Sequence, residues 1–287
     1  MLRILFVVIA IIGWYLMVQP SIWVVADVPP IPACVVLQSR EGVRAFDEQI
    51  AYRGVSFGTQ TVEQKLGMTL SHPVTVVLAP DAKTYAKILV DEQGISPQAA
   101  LAHAAFTSGS TQAEKVIVNI GDIELYNDAL FIVAHEIAHQ CQLERSSDST
   151  RLTWLTEGLA DWVAAHAVAA NLGEPDGAEN SQIDSYCRAW LSTLARSEKY
   201  PALRNLDLRT DWLSSLQTYG PVVPYRTSAL AVFRLADLAG PKAFRSFFDL
   251  QRKGELPENA FANAFGITLD NFEKDYALWL EARVNKH

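Results

Sequence analysis

The residues with the clearest chemical potential form the stretch His135-Glu136-Ile137-Ala138-His139. An α-helix brings positions i and i+4 onto one face, so both imidazoles can reach one metal ion. Glu136 follows the first ligand directly and is placed to hold and deprotonate a water on that ion. The pattern therefore predicts a metal centre, and Zn²⁺ is the ion that this motif favours.

The residues around this motif are apolar, which predicts that its helix is buried. Residues 130–134 precede the motif, and its two inner positions are Ile137 and Ala138. Burying two histidines and a glutamate without partners would cost several kcal/mol, and a bound metal removes that cost. The alternative is a buried histidine pair whose ring nitrogens bond to backbone carbonyls.

A third ligand is expected from Glu157, eighteen residues after His139. Asp161 follows one helical turn later, so the two carboxylates share a helix face. One can ligate the metal, and the other can accept the ring N–H of a ligating histidine and so fix its tautomer. The alternative is a helix with two solvated acids. The apolar neighbours disfavour it: Leu155, Leu159, Trp162 and Val163.

On these residues the sequence resembles the gluzincin metallopeptidases, the clan that includes thermolysin. The resemblance rests on the His-Glu-x-x-His motif and on Glu157 in the next long helix. The nearest likeness is to peptidase MA-like bacterial proteins, whose typical Trp-Leu-x-Glu-Gly stretch is found at residues 154–158. The resemblance covers residues 74–283 in plan and residues 131–162 at motif strength.

The resemblance implies a ligand set and a reaction. One Zn²⁺ is expected on His135, His139 and Glu157, and Asp161 falls where thermolysin-like members place an aspartate four residues after the ligating glutamate. The implied reaction is hydrolysis of a peptide bond by metal-activated water, with Glu136 as general base. The implied partner is a peptide or protein substrate.

Two further features are implied by the resemblance. A tyrosine or histidine should stabilise the oxyanion; Tyr225 is the candidate and Tyr219 its rival, and a tyrosine that only anchors the loop between Pro221 and Pro224 is the alternative. An edge strand before the motif helix should bind the substrate backbone, and residues 116–120 fit by order. The chain lacks the Gly-Ala-Met-Glu-Asn motif of the clan's aminopeptidases, so the resemblance does not extend to their activity.

A non-hydrolytic protein is the alternative function: a zinc-stabilised envelope binding or assembly module on the same fold. The full ligand set with an intact Glu136 favours hydrolysis, because a binding module has no need of a base. Nucleic-acid binding is disfavoured as a function class. The chain has 32 acidic and 24 basic residues, a net charge of −8, and such binding needs clustered Lys and Arg.

The elements that must position these residues predict an α+β fold. We expect a small α/β lobe with a mixed sheet over residues 34–145, followed by a mostly helical lobe over residues 146–287. The zinc site should lie on the motif helix between them. Together the two lobes should form one gluzincin-like metallopeptidase domain, residues 34–287.

Local patterns place the main elements. Runs of β-branched residues predict two strands, at residues 74–78 and 116–120. The motif helix is expected over residues 128–143, with Asn127 as its N-cap. Residues 40–67 are predicted to be mainly helical, with breaks near Gly54 and Gly58.

The N-terminus is expected to be separate from the domain. Residues 4–18 form an unbroken apolar run, which indicates either a signal peptide cleaved after Ala26 or an uncleaved signal anchor. Both interpretations predict export to the periplasm or another extracytoplasmic space. The anchor would also attach the protein to the membrane through residues 4–26. Residues 27–33 are rich in proline and predict an extended linker.

Three cysteines bear on the same question: Cys34, Cys141 and Cys187. In an oxidising compartment two of them can pair, and the alternative is three unpaired thiols. Cys141 lies about 200° around a helix from His139, so it is not expected to bind the same metal.

Overall fold

The computed structural model describes residues 27–145, 152–175, 177–178, 181–197 and 199–285. The predicted α+β architecture is confirmed: a four-stranded mixed sheet near the N-terminus is followed by a mostly helical region. The signal segment, residues 1–26, lies outside the described residues, so cleavage, anchoring and export stay predictions. None of the described helices is long and apolar enough to cross a membrane.

The strands and helices are numbered here in chain order. The strands are β1 (Val35–Ser39), β2 (Val74–Ala79), β3 (Gly109–Gln112) and β4 (Lys115–Asn119). The helices are α1 (Ala45–Thr61), α2 (Ala82–Gln93), α3 (Pro97–Phe106), α4 (Tyr126–Leu143), α5 (Thr153–Asn171), α6 (Gln182–Arg196), α7 (Arg209–Tyr219), α8 (Val222–Ala239), α9 (Lys242–Arg252), α10 (Pro257–Phe265) and α11 (Leu269–Val284).

The sheet has the strand order β1-β2-β4-β3. Strands β1, β2 and β4 are parallel, and β3 pairs with β4 in the antiparallel direction. The prediction that residues 116–120 form the edge strand is therefore wrong, because β4 lies between β2 and β3. The Val-Ile-Val run of β4 suits an interior strand buried on both faces, whereas β1 and β3 are the two edge strands of the sheet.

Helices cover both faces of this sheet, and the alternation of side chains along β4 decides which residue meets which layer. Val116 and Val118 pack into the cluster that contains residues of α1 and α4. Ile117 points to the opposite face and packs with residues of α2. The motif helix α4 therefore lies on one sheet face, directly beside β4 and β3.

Helix α1 runs without interruption through Gly54 and Gly58, so the predicted breaks are wrong. These glycines serve close helix packing instead. A Cβ atom at Gly54 would lie 2.6 Å from the Val133 Cβ, and one at Gly58 would lie 3.1 Å from the Ala134 Cα. Both contacts are on α4 immediately before His135, so the missing side chains let α1 lie directly on the motif helix.

A third glycine plays the same part on the other side of the site. Gly158 follows Glu157 in α5, and a Cβ atom there would lie 2.4 Å from the Ser228 carbonyl oxygen in α8. Helix α5 is buried nearly all round and is the centre of the helical region, with Trp154 stacked on Phe272 at 5.9 Å.

The motif helix α4 begins at Tyr126 with Leu125 in the N-cap position, so the prediction that Asn127 is its cap is wrong.

The cysteines are all free in this structure. Cys141 is buried, and Cys34 and Cys187 are partly exposed. Of the two alternatives left open by the sequence, three unpaired thiols is therefore the one observed.

Gly54→Ala is expected to lower the free energy of unfolding by about 1–3 kcal/mol, because the added methyl group collides with Val133. This exceeds the roughly 0.5–1 kcal/mol that alanine gains over glycine within a helix. Urea denaturation measures the difference. The matched control is Glu48→Ala on the exposed side of α1, which should stay within about 0.5 kcal/mol of wild type. A Gly54→Ala protein as stable as wild type would contradict this packing.

Candidate metal centre

Two ring nitrogen atoms and one carboxylate oxygen atom converge between α4 and α5. The Nε2 atoms of His135 and His139 are 3.0 Å apart, and the Glu157 Oε2 lies 3.6 Å from the first and 3.4 Å from the second. Helix periodicity brings the two imidazoles together, as the i, i+4 spacing predicts. The structure thus places His135, His139 and Glu157 in one group that could hold a metal ion.

The spacing of these atoms is close to what zinc requires. Nitrogen and oxygen ligands at about 2.0–2.2 Å from a tetrahedral zinc ion stand roughly 3.3–3.6 Å apart. The three separations of 3.0, 3.4 and 3.6 Å lie close to that range. Two imidazoles and one carboxylate are also a donor set of catalytic zinc sites, which leave a fourth position for water or substrate. The residues therefore fit Zn²⁺.

The second nitrogen of each imidazole has its own partner. The His135 Nδ1 lies 2.9 Å from the Asp161 Oδ1, the contact expected from the sequence. The His139 Nδ1 lies 3.1 Å from the Gln142 Oε1, and the Gln142 amide donates to the Thr156 carbonyl at 3.0 Å. These contacts orient both rings so that their Nε2 atoms face the common centre. Gln142 was missed, although its position three residues after His139 placed it within reach.

Buried charges in this group stabilise one another. Burial opposes the charge on His135, but the hydrogen bond with Asp161 and the nearby Glu157 carboxylate outweigh it and raise the pKa of His135 to about 10. Burial likewise opposes the charge on Glu157, but the two imidazoles lower the pKa of that carboxyl below its usual value. A metal ion would take the place of a proton between these groups.

The predicted base, Glu136, is buried against strand β3 rather than among the ligands. The Thr111 hydroxyl lies 2.5 Å from the Glu136 Oε2, and Gly109 faces the other carboxylate oxygen. Neither residue was expected from the sequence. The strand Gly-Ser-Thr-Gln has no apolar alternation, so no hydrophobic pattern revealed it.

Of the two tyrosine candidates, Tyr225 lies beside the ligands. Its ring centroid is 6.3 Å from that of His135 and 4.9 Å from that of Trp212, which it meets edge to face. Burial raises the pKa of the Tyr225 hydroxyl well above its usual value, and the nearby Glu157 carboxylate adds to the effect. Tyr225 is therefore a protonated donor at neutral pH. Tyr219 ends α7 and packs against the helical core.

Two arginines that the sequence did not single out complete the surroundings. The Arg226 Nη1 lies 3.3 Å from the Asp161 Oδ2, and its guanidinium group sits over the Trp190 ring. The Arg209 Nη1 lies 3.5 Å from the Glu157 Oε1, although most of that side chain is exposed. Arg226 therefore holds Asp161 in the orientation in which it accepts from His135.

The remaining described histidines lie outside this group. His72 contacts Glu144 and Gln140, and the His166 Nδ1 lies 2.8 Å from the Trp162 carbonyl oxygen. The His103 Nε2 lies 3.4 Å from the Gly109 carbonyl oxygen. Within the part of the chain that the structure describes, no second group of three or more His, Cys, Asp or Glu side chains could hold a metal ion.

Comparisons with known proteins add no family to this picture. No protein-family model matches the sequence, and no curated protein is significantly similar to it. The gluzincin resemblance therefore remains a hypothesis that depends on the motif residues and their geometry.

Asp161→Asn is expected to weaken zinc binding by about 10- to 100-fold, because a neutral amide no longer stabilises the His135 N–H or fixes its tautomer. Competition against a chromophoric chelator measures the affinity. Asp270→Asn, an exposed aspartate on α11, is the control and should bind zinc as wild type does. Equal affinities for all three proteins would contradict the role given to Asp161.

Asp207 holds the beginning of α5, the helix that carries Glu157. Its carboxylate accepts from the Trp154 indole N–H at 2.9 Å, and its carbonyl oxygen accepts from the Thr153 amide at 2.8 Å. Burial, with Glu273 nearby, raises the pKa of Asp207 to about 7. Because the folded state holds this proton more tightly than the unfolded state, stability falls as the pH rises from about 4 through 7.

Asp207→Asn should remove this pH dependence, because an amide oxygen still accepts from Trp154 but carries no charge. The stability of Asp207→Asn minus that of wild type should therefore be about 1–2 kcal/mol larger at pH 8 than at pH 5. This value is smaller than the full pKa shift implies, because the site is partly exposed. Urea denaturation at both pH values is the measurement, with Asp27→Asn, an exposed aspartate before β1, as control. A stability difference between the variant and wild type that is the same at both pH values would refute the raised pKa of Asp207.

Proposed function

We propose that this protein is a zinc-dependent peptidase. The observation that carries the proposal is the convergence of His135, His139 and Glu157, with separations of 3.0–3.6 Å, at a point where the buried Glu136 directly follows the first ligand along α4. A purely structural zinc site is normally closed by four protein ligands, whereas three ligands leave a position for water or substrate.

The proposed mechanism assigns one task to each residue. Zinc, when bound, would lower the pKa of a water molecule toward about 7 and polarise the scissile carbonyl group. Glu136 takes the proton of the attacking water and passes it to the leaving amine. The Tyr225 hydroxyl donates a hydrogen bond to the oxyanion. Asp161 and Gln142 keep the imidazoles oriented throughout.

The proposed substrate is a peptide in an extended conformation. Among the described strands, β3 pairs only with β4, so no strand of the sheet covers its other edge. An extended peptide can hydrogen-bond to such an edge as an added strand. Because Gly109 and Thr111 in this strand contact Glu136, a peptide bound there would lie next to the base.

The proposed setting is extracytoplasmic. It is supported by the apolar run of residues 4–18 alone, whether that segment is removed or retained.

Glu136→Gln is expected to bind zinc with wild-type stoichiometry and to lose about 10²- to 10⁴-fold in kcat, because the amide cannot take the proton of the attacking water. A mixed peptide library, analysed by mass spectrometry with and without chelator, provides the first assay. The control is Glu124→Gln, an exposed glutamate before α4.

Two results would count against the proposal. Cleavage by Glu136→Gln at the wild-type rate would refute Glu136 as the base. Absence of chelator-sensitive cleavage by the wild-type protein would favour the non-hydrolytic binding or assembly module.

A further inference from the structure

We infer that Thr111 is a positioning residue for Glu136, and that strand β3 holds the carboxylate between the Thr111 hydroxyl and the backbone at Gly109. This inference rests on the proposed function, in which Glu136 is the base. It concerns a part of the site that supplies no metal ligand.

The hydroxyl of Thr111 makes two contacts with the same glutamate. Its Oγ1 lies 2.5 Å from the Glu136 Oε2 and 3.1 Å from the Glu136 backbone carbonyl oxygen. A hydroxyl has one proton to donate, and a charged carboxylate is the stronger acceptor. The shorter contact is therefore the hydrogen bond. It fixes the Oε2 atom of the carboxylate against strand β3.

Gly109 bounds the other side of the carboxylate. A Cβ atom at this position would lie 2.3 Å from the Glu136 Oε1 and 2.7 Å from its Cδ and Cγ. Any side chain at residue 109 would therefore displace the glutamate. Residues 109 and 111 project from the same face of the strand, because side chains alternate along β3. The pairing of Gly109 with Val118 and of Thr111 with Val116 fixes where Gly109 and Thr111 lie along β4.

The placement of Glu136 matters because proton transfer requires a distance of about 2.6–3.2 Å between the base and the water it deprotonates. A glutamate side chain has several rotatable bonds, and the metal ligands do not restrain them. The contacts of Glu136 with strand β3 do restrain these bonds. A displacement of about 1 Å in such a geometry can reduce the rate by about 10²-fold.

The test compares four variants of the full-length, zinc-loaded protein on a peptide that the wild-type protein cleaves. Thr111→Val keeps the shape and loses the hydroxyl, Thr111→Ser keeps the hydroxyl, and Gly109→Ala pushes on the carboxylate. Gln93→Ala is the matched control, because it removes the hydrogen bond from the Ser110 hydroxyl on the opposite face of β3.

Thr111→Val and Gly109→Ala should lose between about 10- and 100-fold in kcat with little change in KM or zinc affinity. Thr111→Ser should retain most of the activity, and Gln93→Ala should match wild type. Wild-type kcat in Thr111→Val would overturn the inference. So would an equal loss in Gln93→Ala, because general loosening of β3 would then explain both.

A crystal structure of zinc-loaded Thr111→Val decides the inference separately from activity. A Glu136 carboxylate that has moved or become disordered supports it, and one in the wild-type position overturns it. If the wild-type protein cleaves no peptide, the proposed function fails, while this structural result still shows whether Thr111 positions Glu136.

Discussion

Two imidazoles and two carboxylates meet where α4 passes α5, largely out of contact with bulk water. Charged and polar groups in such a place are tolerated only when each has a partner of good geometry. Asp161 for His135, Gln142 for His139 and Arg226 for Asp161 meet this requirement. The relative placement of the two helices is therefore set by polar pairing as well as by apolar packing.

The close approach of the neighbouring helices follows from this constraint. Helix α1 lies on α4 at Gly54 and Gly58, and α8 lies on α5 at Gly158. At each of these glycines the backbone touches the next helix directly, because no side chain lies between them. Each contact lies within two residues of a member of the metal group. A loose fit at these points would let the helices shift, and the three ligand atoms would no longer converge. Rigid packing around the site thus supports the alignment of its ligands.

The sequence was most informative where function depends on local spacing. His135 and His139, and likewise Glu157 and Asp161, are separated by one helical turn, so periodicity alone placed each pair on one face. Strand order cannot be deduced in the same way, because it depends on contacts between distant segments. That is why β4 was mistaken for the edge strand. The breaks predicted at Gly54 and Gly58 failed for a similar reason, since tertiary packing overrode the low helix propensity of glycine.

The short edge strand β3 also bears on the solubility of the protein. An unpaired strand edge is a template on which a second chain can add and begin aggregation. Here the edge is only four residues long, and its sequence is Gly-Ser-Thr-Gln, without a large apolar side chain. Such a strand offers few backbone hydrogen bonds and no apolar surface to a second folded copy of the chain. At this edge of the sheet, a strand can therefore stay open for use without offering a segment prone to intermolecular sheet growth.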